Sequence, residues 1–365
     1  MADPKTLIIA EAGVNHNGNL DTAIRLIDAA AEAGADMVKF QTFNAAMLAT
    51  ASAIKADYQK RTTEGGETQL AMLTRLQLSE DAHHALIARC AEKDITFLST
   101  AGEVDSLRFL ADDLKLPIIK LGSGEVTNAS LLLAAARCDA RLILSTGMAS
   151  LSEIESALGI LAFGMQNADD SGAGRDAFAA ALLVPEAFEM LRARVSLMQC
   201  TTEYPSLVED SNLRVMGTLR GAFGLEVGYS DHTEGNAVSI AAVACGATMI
   251  EKHFTLDRTM EGPDHAASIE PEALRDLVFG IRQVEKALGT GIKRPSPMEQ
   301  RNRPIVRRSV VATRDLPKGH ILTAGDMTVK RPGTGISPID MWDCIGRRLT
   351  SPVAQDQSIT QGDLA

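Results

Sequence analysis

Aromatic side chains are scarce: of 365 residues, one is tryptophan, three are tyrosine and ten are phenylalanine, 4 % in all. A platform for stacking nucleic-acid bases needs more of them. Cations are also in the minority, with 36 Lys and Arg against 47 Asp and Glu, a formal charge of −11. Such a chain repels polyanions at long range, so neither nucleic acid nor an anionic membrane is an expected partner. The five cysteines (Cys90, Cys138, Cys200, Cys245, Cys344) are scattered, odd in number and never spaced as CxxC. This argues against a disulfide scaffold or a cysteine zinc site and suits a reducing cytoplasm. Apolar runs are short and broken by Gly, Asp or Lys, so no membrane span is expected. Met1 to Lys5 runs straight into Leu7-Ile8-Ile9-Ala10 without the basic, apolar and cleavage regions of a secretory signal.

The composition is otherwise that of a soluble globular protein, 45 % hydrophobic and 23 % charged. The length implies one large domain and one small one, because single cores stop growing at roughly 250–300 residues. Eight short, nearly continuous apolar runs alternate with amphipathic helical stretches: Leu7–Ala10, Met37–Gln41, Ile95–Ser99, Ile118–Leu121, Leu142–Ser145, Val195–Gln199, Glu226–Tyr229 and Met249–Lys252. Runs of this kind suit parallel strands buried on both faces. Eight βα units within residues 1–288 predict an α/β protein, a (β/α)8 barrel. A doubly wound sheet is the alternative, but the chain has no GxGxxG fingerprint. Asp21, Ser79 and Ser152 are candidate N-caps, and Gly34 and Gly246 candidate helix stops. Ala45–Gln69 reads as a long loop, and Gln166–Arg194 as a flexible insertion followed by an extra helix at Pro185–Arg192. Residues 289–305, with Gly289, Gly291, Pro295, Pro297 and Pro304, read as an irregular linker. Residues 306–365 read as a small β-rich module too short for a robust core of its own.

In a (β/α)8 barrel the active site lies at the C-terminal ends of the strands. There the sequence places Glu11, Lys39 and Gln41, Ser99-Thr100, Lys120 with Ser123 and Glu125, Ser145-Thr146, Cys200 to Tyr204, Ser230 to Thr233, and Glu251-Lys252-His253. Any one of these has a plain structural reading, such as a paired lysine or a helix-capping hydroxyl. Packing explains the set poorly. Lys39, Lys120, Thr100, Ser123 and Ser145 combine charged and neutral donors, which suits phosphate and carboxylate groups. His232 and His253 end adjacent strands, and two imidazoles with open positions suit a divalent ion. The bland alternative is a pair of hydrogen-bonded polar residues. His83, His84 and His320 are expected on the surface, and His265, after Gly262-Pro263-Asp264, near the site.

These strings are specific. Ile8 to Gly18 (IIAEAGVNHNG), Val38-Lys39-Phe40-Gln41-Thr42, Lys120 to Glu125 (KLGSGE), Leu144 to Met148 (LSTGM), Ser230-Asp231-His232-Thr233 and Glu251 to Thr255 (EKHFT) resemble the sialic acid synthase family. The resemblance covers nearly the whole chain. Val329-Lys330-Arg331-Pro332-Gly333 resembles that family's C-terminal antifreeze-like (SAF) domain, related to type III antifreeze proteins. The resemblance implies condensation of phosphoenolpyruvate (PEP) with an N-acyl mannosamine-type sugar to give a nine-carbon acid. It implies Mn2+ or another divalent ion on His232 and His253, and PEP on Lys39, Thr100, Lys120, Ser123 and Ser145, with Thr202 a weaker match. It assigns the sugar to Gln41, Glu125, Tyr204 and Asp264, and to Arg331 reaching from the partner of a domain-swapped homodimer. Glu11 becomes the acid/base residue. The chain departs from the pattern at Ala101-Gly102-Glu103, where the family commonly has Pro-Phe. Two other readings remain open on the sequence: a Schiff-base pyruvate aldolase using Lys120, and a non-catalytic sugar- or ice-binding protein with a relic barrel. The acceptor is also open between N-acetylmannosamine and 2,4-diacetamido-2,4,6-trideoxymannose.

Overall fold

The computed structural model describes residues 5–56, 59–60 and 67–365. The chain divides into two compact units, Met1–Gly289 and Thr290–Ala365. In the first, eight parallel strands close into a barrel in chain order: β1 (Leu7–Gly13), β2 (Met37–Thr42), β3 (Thr96–Ala101), β4 (Ile118–Leu121), β5 (Arg141–Ser145), β6 (Val195–Cys200), β7 (Glu226–Asp231) and β8 (Met249–His253). Closure of β1 on β8 removes both sheet edges, and with them the doubly wound alternative.

The strand alternation sorts residues into two shells. Ile8, Val38, Phe97, Ile119, Leu144, Val227 and Ile250 point outward and join the helices in one large core. Ile9, Met37, Leu98, Ile143, Met198 and Met249 point inward and fill the barrel floor. Two residues further along each strand the inward positions change character, to Glu11, Lys39, Thr100, Ser145, Cys200 and Glu251. A period of two therefore carries these six strands from apolar floor to a rim of polar and ionisable groups.

The helices are capped by residues close to those expected. Ser79 caps Glu80–Glu92 as predicted, but Asn19 caps Leu20–Ala33 and Ser150 caps Leu151–Gln166. Asp21 and Ser152 instead lie in the first turns of those two helices, each two residues past the cap. The Gln166–Arg194 insertion holds two helices, Arg175–Ala181 and Pro185–Arg194. Phe178 meets Phe163 edge-on with ring centroids 5.3 Å apart, and a Cβ at Gly159 would come within 2.6 Å of the Phe178 carbonyl. The segment is thus packed on the barrel's outside rather than loose. The loop expected over Ala45–Gln69 begins with a short helix, Ala45–Leu48, and falls partly outside the described residues.

The second unit pairs β9 (Ser309–Ala312) with β10 (Met327–Lys330) antiparallel. It has its own core, including Val310, Leu316, Leu322, Ile336 and Ile359. The stretch before it is not irregular: Pro297–Val306 is a helix with a Ser296/Glu299 capping box. Its first proline sits at the helix start, where the missing N–H costs nothing, so proline was a poor guide to disorder there.

Candidate functional site

A cavity of about 350 Å³ opens at the strand C-termini, and every residue lining it belongs to the barrel unit. Glu11, Lys39, Gln41 and Thr100 form one side of its wall, and Lys120, Ser123 and Ser145 the next. Thr202, Tyr204, His232, His253 and Asp264 complete the set of predicted residues gathered there. Two predicted residues are not among its lining. Glu125, in the turn Ser123–Thr127, accepts from Asn128 Nδ2 at 2.6 Å, while Asn128 Oδ1 caps the following helix. Its carboxylate therefore serves that turn. Arg331 is an exposed residue of the second unit.

The centre of the site is a buried charge network. Lys39 Nζ lies 2.7 Å from Glu11 Oε2, 2.9 Å from Thr100 Oγ1 and 3.6 Å from Glu251 Oε2. Lys120 Nζ donates to Glu251 Oε1 at 2.5 Å, and Ser230 Oγ donates to the same oxygen at 2.8 Å. Glu251 is the member that motif reading passed over. It stands among the strand-end residues, but its contact with two lysines needs the barrel to close before it can be seen.

The two carboxyl groups are driven apart. Burial raises Glu11 to about 7, against the pull of Lys39 and with help from the Glu251 charge. Burial also opposes ionisation of Glu251, but Lys120 and Lys39 prevail and hold it well below the usual carboxylate range. Lys39 is held above the ordinary lysine value: burial acts against its charge, and Glu11 and Glu251 outweigh it. A carboxyl that titrates near neutrality beside one that stays ionised is the pattern of an acid/base residue with an electrostatic support.

Two glycines keep this space open. Gly13 sits at the β1 bulge with φ +52°, and a Cβ there would lie 3.1 Å from Glu11 Oε1. A Cβ on Gly147 would come within 2.9 Å of Ser123 Oγ and of Thr202 Cγ2, crowding the floor between β4 and β6. Ser145 Oγ is buried beside this floor without a hydrogen-bond partner. Together with the lysines it offers charged and neutral donors of the kind an anion accepts from.

The imidazoles stand opposite, with His232 and His253 ring centroids 5.3 Å apart. Among the described residues no group of three or more His, Cys, Asp or Glu is arranged around a metal ion. The donor chemistry nevertheless fits a divalent ion completed by water. His232 Nδ1 lies 2.7 Å from the Thr201 carbonyl, which only accepts, so that nitrogen carries the proton. Ser230 gives its single proton to Glu251, so its 3.2 Å contact leaves the lone pair on His232 Nε2 unspent. His253 Nδ1 is buried with no partner. Burial lowers His232 to about 4 and His253 well below its usual value, so both rings are neutral at pH 7. Tyr204 lies against the pair, its ring 4.2 Å from that of His232.

Behind the strands, Lys252 Nζ meets Asp231 Oδ2 at 2.9 Å and donates to the Thr233 carbonyl at 2.6 Å. Asp231 also accepts from the Thr233 amide and from the Ser239 hydroxyl. These bonds fix the turn that presents His232. Of the histidines expected on the surface, His83 is buried, bonded to Thr42 Oγ1 and to the Ser79 carbonyl, each at 2.8 Å. Its helix turns that face against β2. His320 is half-buried beside Asp326. The Ala101-Gly102-Glu103 departure has a local use: Glu103 caps the helix Val104–Arg108, accepting from the Asp105 and Ser106 amides.

Residues 26–293 match the NeuB family and residues 307–365 match the SAF domain. The chain is 46 % identical over 98 % of its length to an N,N'-diacetyllegionaminic acid synthase of Campylobacter jejuni, 99 % of which is covered. It is 42 % identical to the enzyme of the same name from Legionella pneumophila, over 94 % of this chain and 90 % of that one. The crystal structure of N-acetylneuraminic acid synthetase from Leptospira borgpetersenii superposes with a TM-score of 0.66 at 33 % identity, covering 82 % of this chain and 90 % of that one. The barrel, its strand-end chemistry and the appended module thus agree with sequence descent: the chain belongs to the NeuB family and carries a C-terminal SAF domain.

Proposed function

We propose that the protein is a transferase that condenses PEP with an N-acyl mannosamine-type sugar, releases phosphate and forms a nine-carbon acid. The single observation that carries this reading is the convergence of two lysines, two imidazoles and a neutral-range carboxyl on one cavity. Lys39, Lys120, Thr100, Ser123 and Ser145 hold the phosphate and carboxylate of PEP, with Thr202 beside them. Gln41, Tyr204 and Asp264 face the sugar. His232 and His253 hold a divalent ion such as Mn2+, which supplies Lewis-acid polarisation of the acceptor's aldehyde oxygen.

The bond-making step joins C3 of PEP to the aldehyde carbon, leaving a cationic C2. Glu11 takes a proton from the water that adds there. Glu11 passes that proton to the alkoxide left on the former aldehyde oxygen, and the resulting tetrahedral phosphohemiketal collapses through C–O cleavage, its hydroxyl proton leaving with the phosphate as the C2 carbonyl forms. Glu251 pairs with both ammonium groups and keeps them aimed at the developing anions, so little reorganisation is needed during reaction. The Schiff-base alternative is disfavoured by this arrangement, because Lys120 is tied to an ionised carboxylate and is not presented as a free amine.

On this reading residues 1–288 are the catalytic domain, residues 289–305 a connector and residues 306–365 the SAF domain. The active form is a cytoplasmic, domain-swapped homodimer in which Arg331 meets the partner's acceptor. Its exposure supports this, as does the helix Pro297–Val306, which buries none of its residues. Among the described residues no helix is long and apolar enough to cross a membrane. The test is phosphate release by purified protein with PEP and Mn2+, with and without acceptor. Release that requires both acceptor and ion, with a nine-carbon acid by mass spectrometry, is expected. Turnover in excess EDTA, or borohydride trapping of pyruvate on Lys120, would overturn it.

A further inference from the structure

The hydroxyls around the cavity differ in what orients their protons. Thr100 Oγ1 accepts from Lys39 and Ser230 Oγ donates to Glu251, so the charge network sets both. Ser145 Oγ, in a residue 3 % exposed, lines the cavity without a partner. Ser123 stands apart from that network. Its Oγ accepts from the Gly147 amide at 3.0 Å and lies 3.1 Å from Cys200 Sγ. Cys200 ends β6, is 6 % exposed and lines the same cavity. Gly147 permits this meeting of the β4, β5 and β6 ends, since a Cβ there would stand 2.9 Å from Ser123 Oγ and 3.0 Å from Cys200 Sγ.

A serine hydroxyl has one proton and two lone pairs. The Gly147 N–H occupies one lone pair, which leaves one proton and one lone pair for two directions, the thiol and the cavity. Sulfur is a weak acceptor, whereas a thiol has a proton to give. An anion facing the Ser123 lone pair is repelled, and one facing its proton gains a charge-assisted bond. We propose that Cys200 is a positioning residue: its S–H fills the second lone pair of Ser123 and so turns the Ser123 proton toward the phosphate or carboxylate of PEP. This rests on the condensing reaction proposed above, with Ser123 among the groups that hold PEP.

The test is the affinity of the full chain for PEP, measured by isothermal titration with Mn2+ and without acceptor. Cys200→Val fills the space without a donor, and Cys200→Ser keeps a donor in a smaller volume. The dissociation constant should rise about tenfold in Cys200→Val, the low end of what a hydrogen bond to a charged group is worth, and stay within about threefold of wild type in Cys200→Ser. In a Ser123→Ala background, Cys200→Val should change it by less than about twofold, because the thiol acts through that hydroxyl. If Cys200→Val lowers the melting temperature sharply, Cys200→Ala removes the donor without adding bulk and makes the same comparison. A role in packing alone would reverse the order, with valine tolerated and serine weakened. That order, or a Cys200→Val effect that persists beside Ser123→Ala, would overturn the inference. A wild type that binds no PEP would instead count against the condensing reaction itself.

Discussion

Replacing Glu251 by glutamine is the most informative perturbation of the charge network. The carboxylate is 2 % exposed, accepts from Lys120 at 2.5 Å and from Ser230 at 2.8 Å, and lies 3.6 Å from Lys39. Glutamine keeps the shape and one acceptor but leaves two buried ammonium groups facing a single carboxyl. Removing one partner of a buried pair costs about 3–5 kcal/mol. At roughly 2–4 °C per kcal/mol, the melting temperature should fall by about 6–20 °C. Saturating PEP brings the missing negative charge, so it should raise the melting temperature more in Glu251→Gln than in the wild type. The Glu251 charge is also one of the causes that raise Glu11. Removing it lowers Glu11 toward the ordinary carboxylate value, and the acidic limb of the kcat–pH profile should move to lower pH. Differential scanning fluorimetry with and without PEP, and kcat measured from pH 5 to 9, test the three consequences together. Wild-type stability, or an equal PEP increment in both proteins, would refute the claim that Glu251 is the counter-charge of the PEP pocket.

Glu11→Gln should leave the circular dichroism spectrum unchanged and reduce kcat by about 10²–10⁴-fold, the usual worth of a positioned acid/base. His232→Ala should abolish turnover with the fold retained, and isothermal titration should find its Mn2+ binding lost. Lys252→Met leaves Asp231 as an unpaired buried charge and frees the turn carrying His232; Mn2+ affinity should drop about 10–100-fold although residue 252 touches neither imidazole. In the SAF domain, Asp326 accepts from the Thr323 amide and hydroxyl and pairs with His320 and Arg314. The His320 bond is the largest of the causes that hold Asp326 well below its usual pKa. A depressed folded-state pKa gives stability that is present above the unfolded value of about 3.9 and lost as pH falls below it. Hydrogen exchange at the β9 amides should therefore accelerate between about pH 4 and 2, and Asp326→Asn should lose most of that dependence.

The barrel was legible because its strands are short apolar runs whose inward positions change character after one step of two residues. Ile9 followed by Glu11, Met37 by Lys39 and Met249 by Glu251 are visible without coordinates, and each pair stacks as floor and rim in the structure. What could not be read was anything that depends on which strands meet. Glu251 reaches Lys39 because β8 closes on β1, with Glu11 opposite His253 in register. Glu125 matched a family string, yet its carboxylate is turned to Asn128 by a local turn that the string does not encode. His83 looked like a surface residue because its helix is polar on average, and only the proximity of Thr42 explains its burial. The helix at Pro297–Val306 was hidden by its prolines: Pro297 starts it at a position where the ring is tolerated, and Pro304 lies inside it, where proline ordinarily breaks a helix.

The central chemical claim is that water, handled by Glu11, attacks carbon rather than phosphorus. PEP labelled with 18O in the oxygen bridging C2 and phosphorus tests it directly, with the acceptor, Mn2+ and mass analysis of both products. The account predicts that all of the label leaves in inorganic phosphate; label retained in the nine-carbon acid would mean P–O cleavage and would contradict the role given to Glu11.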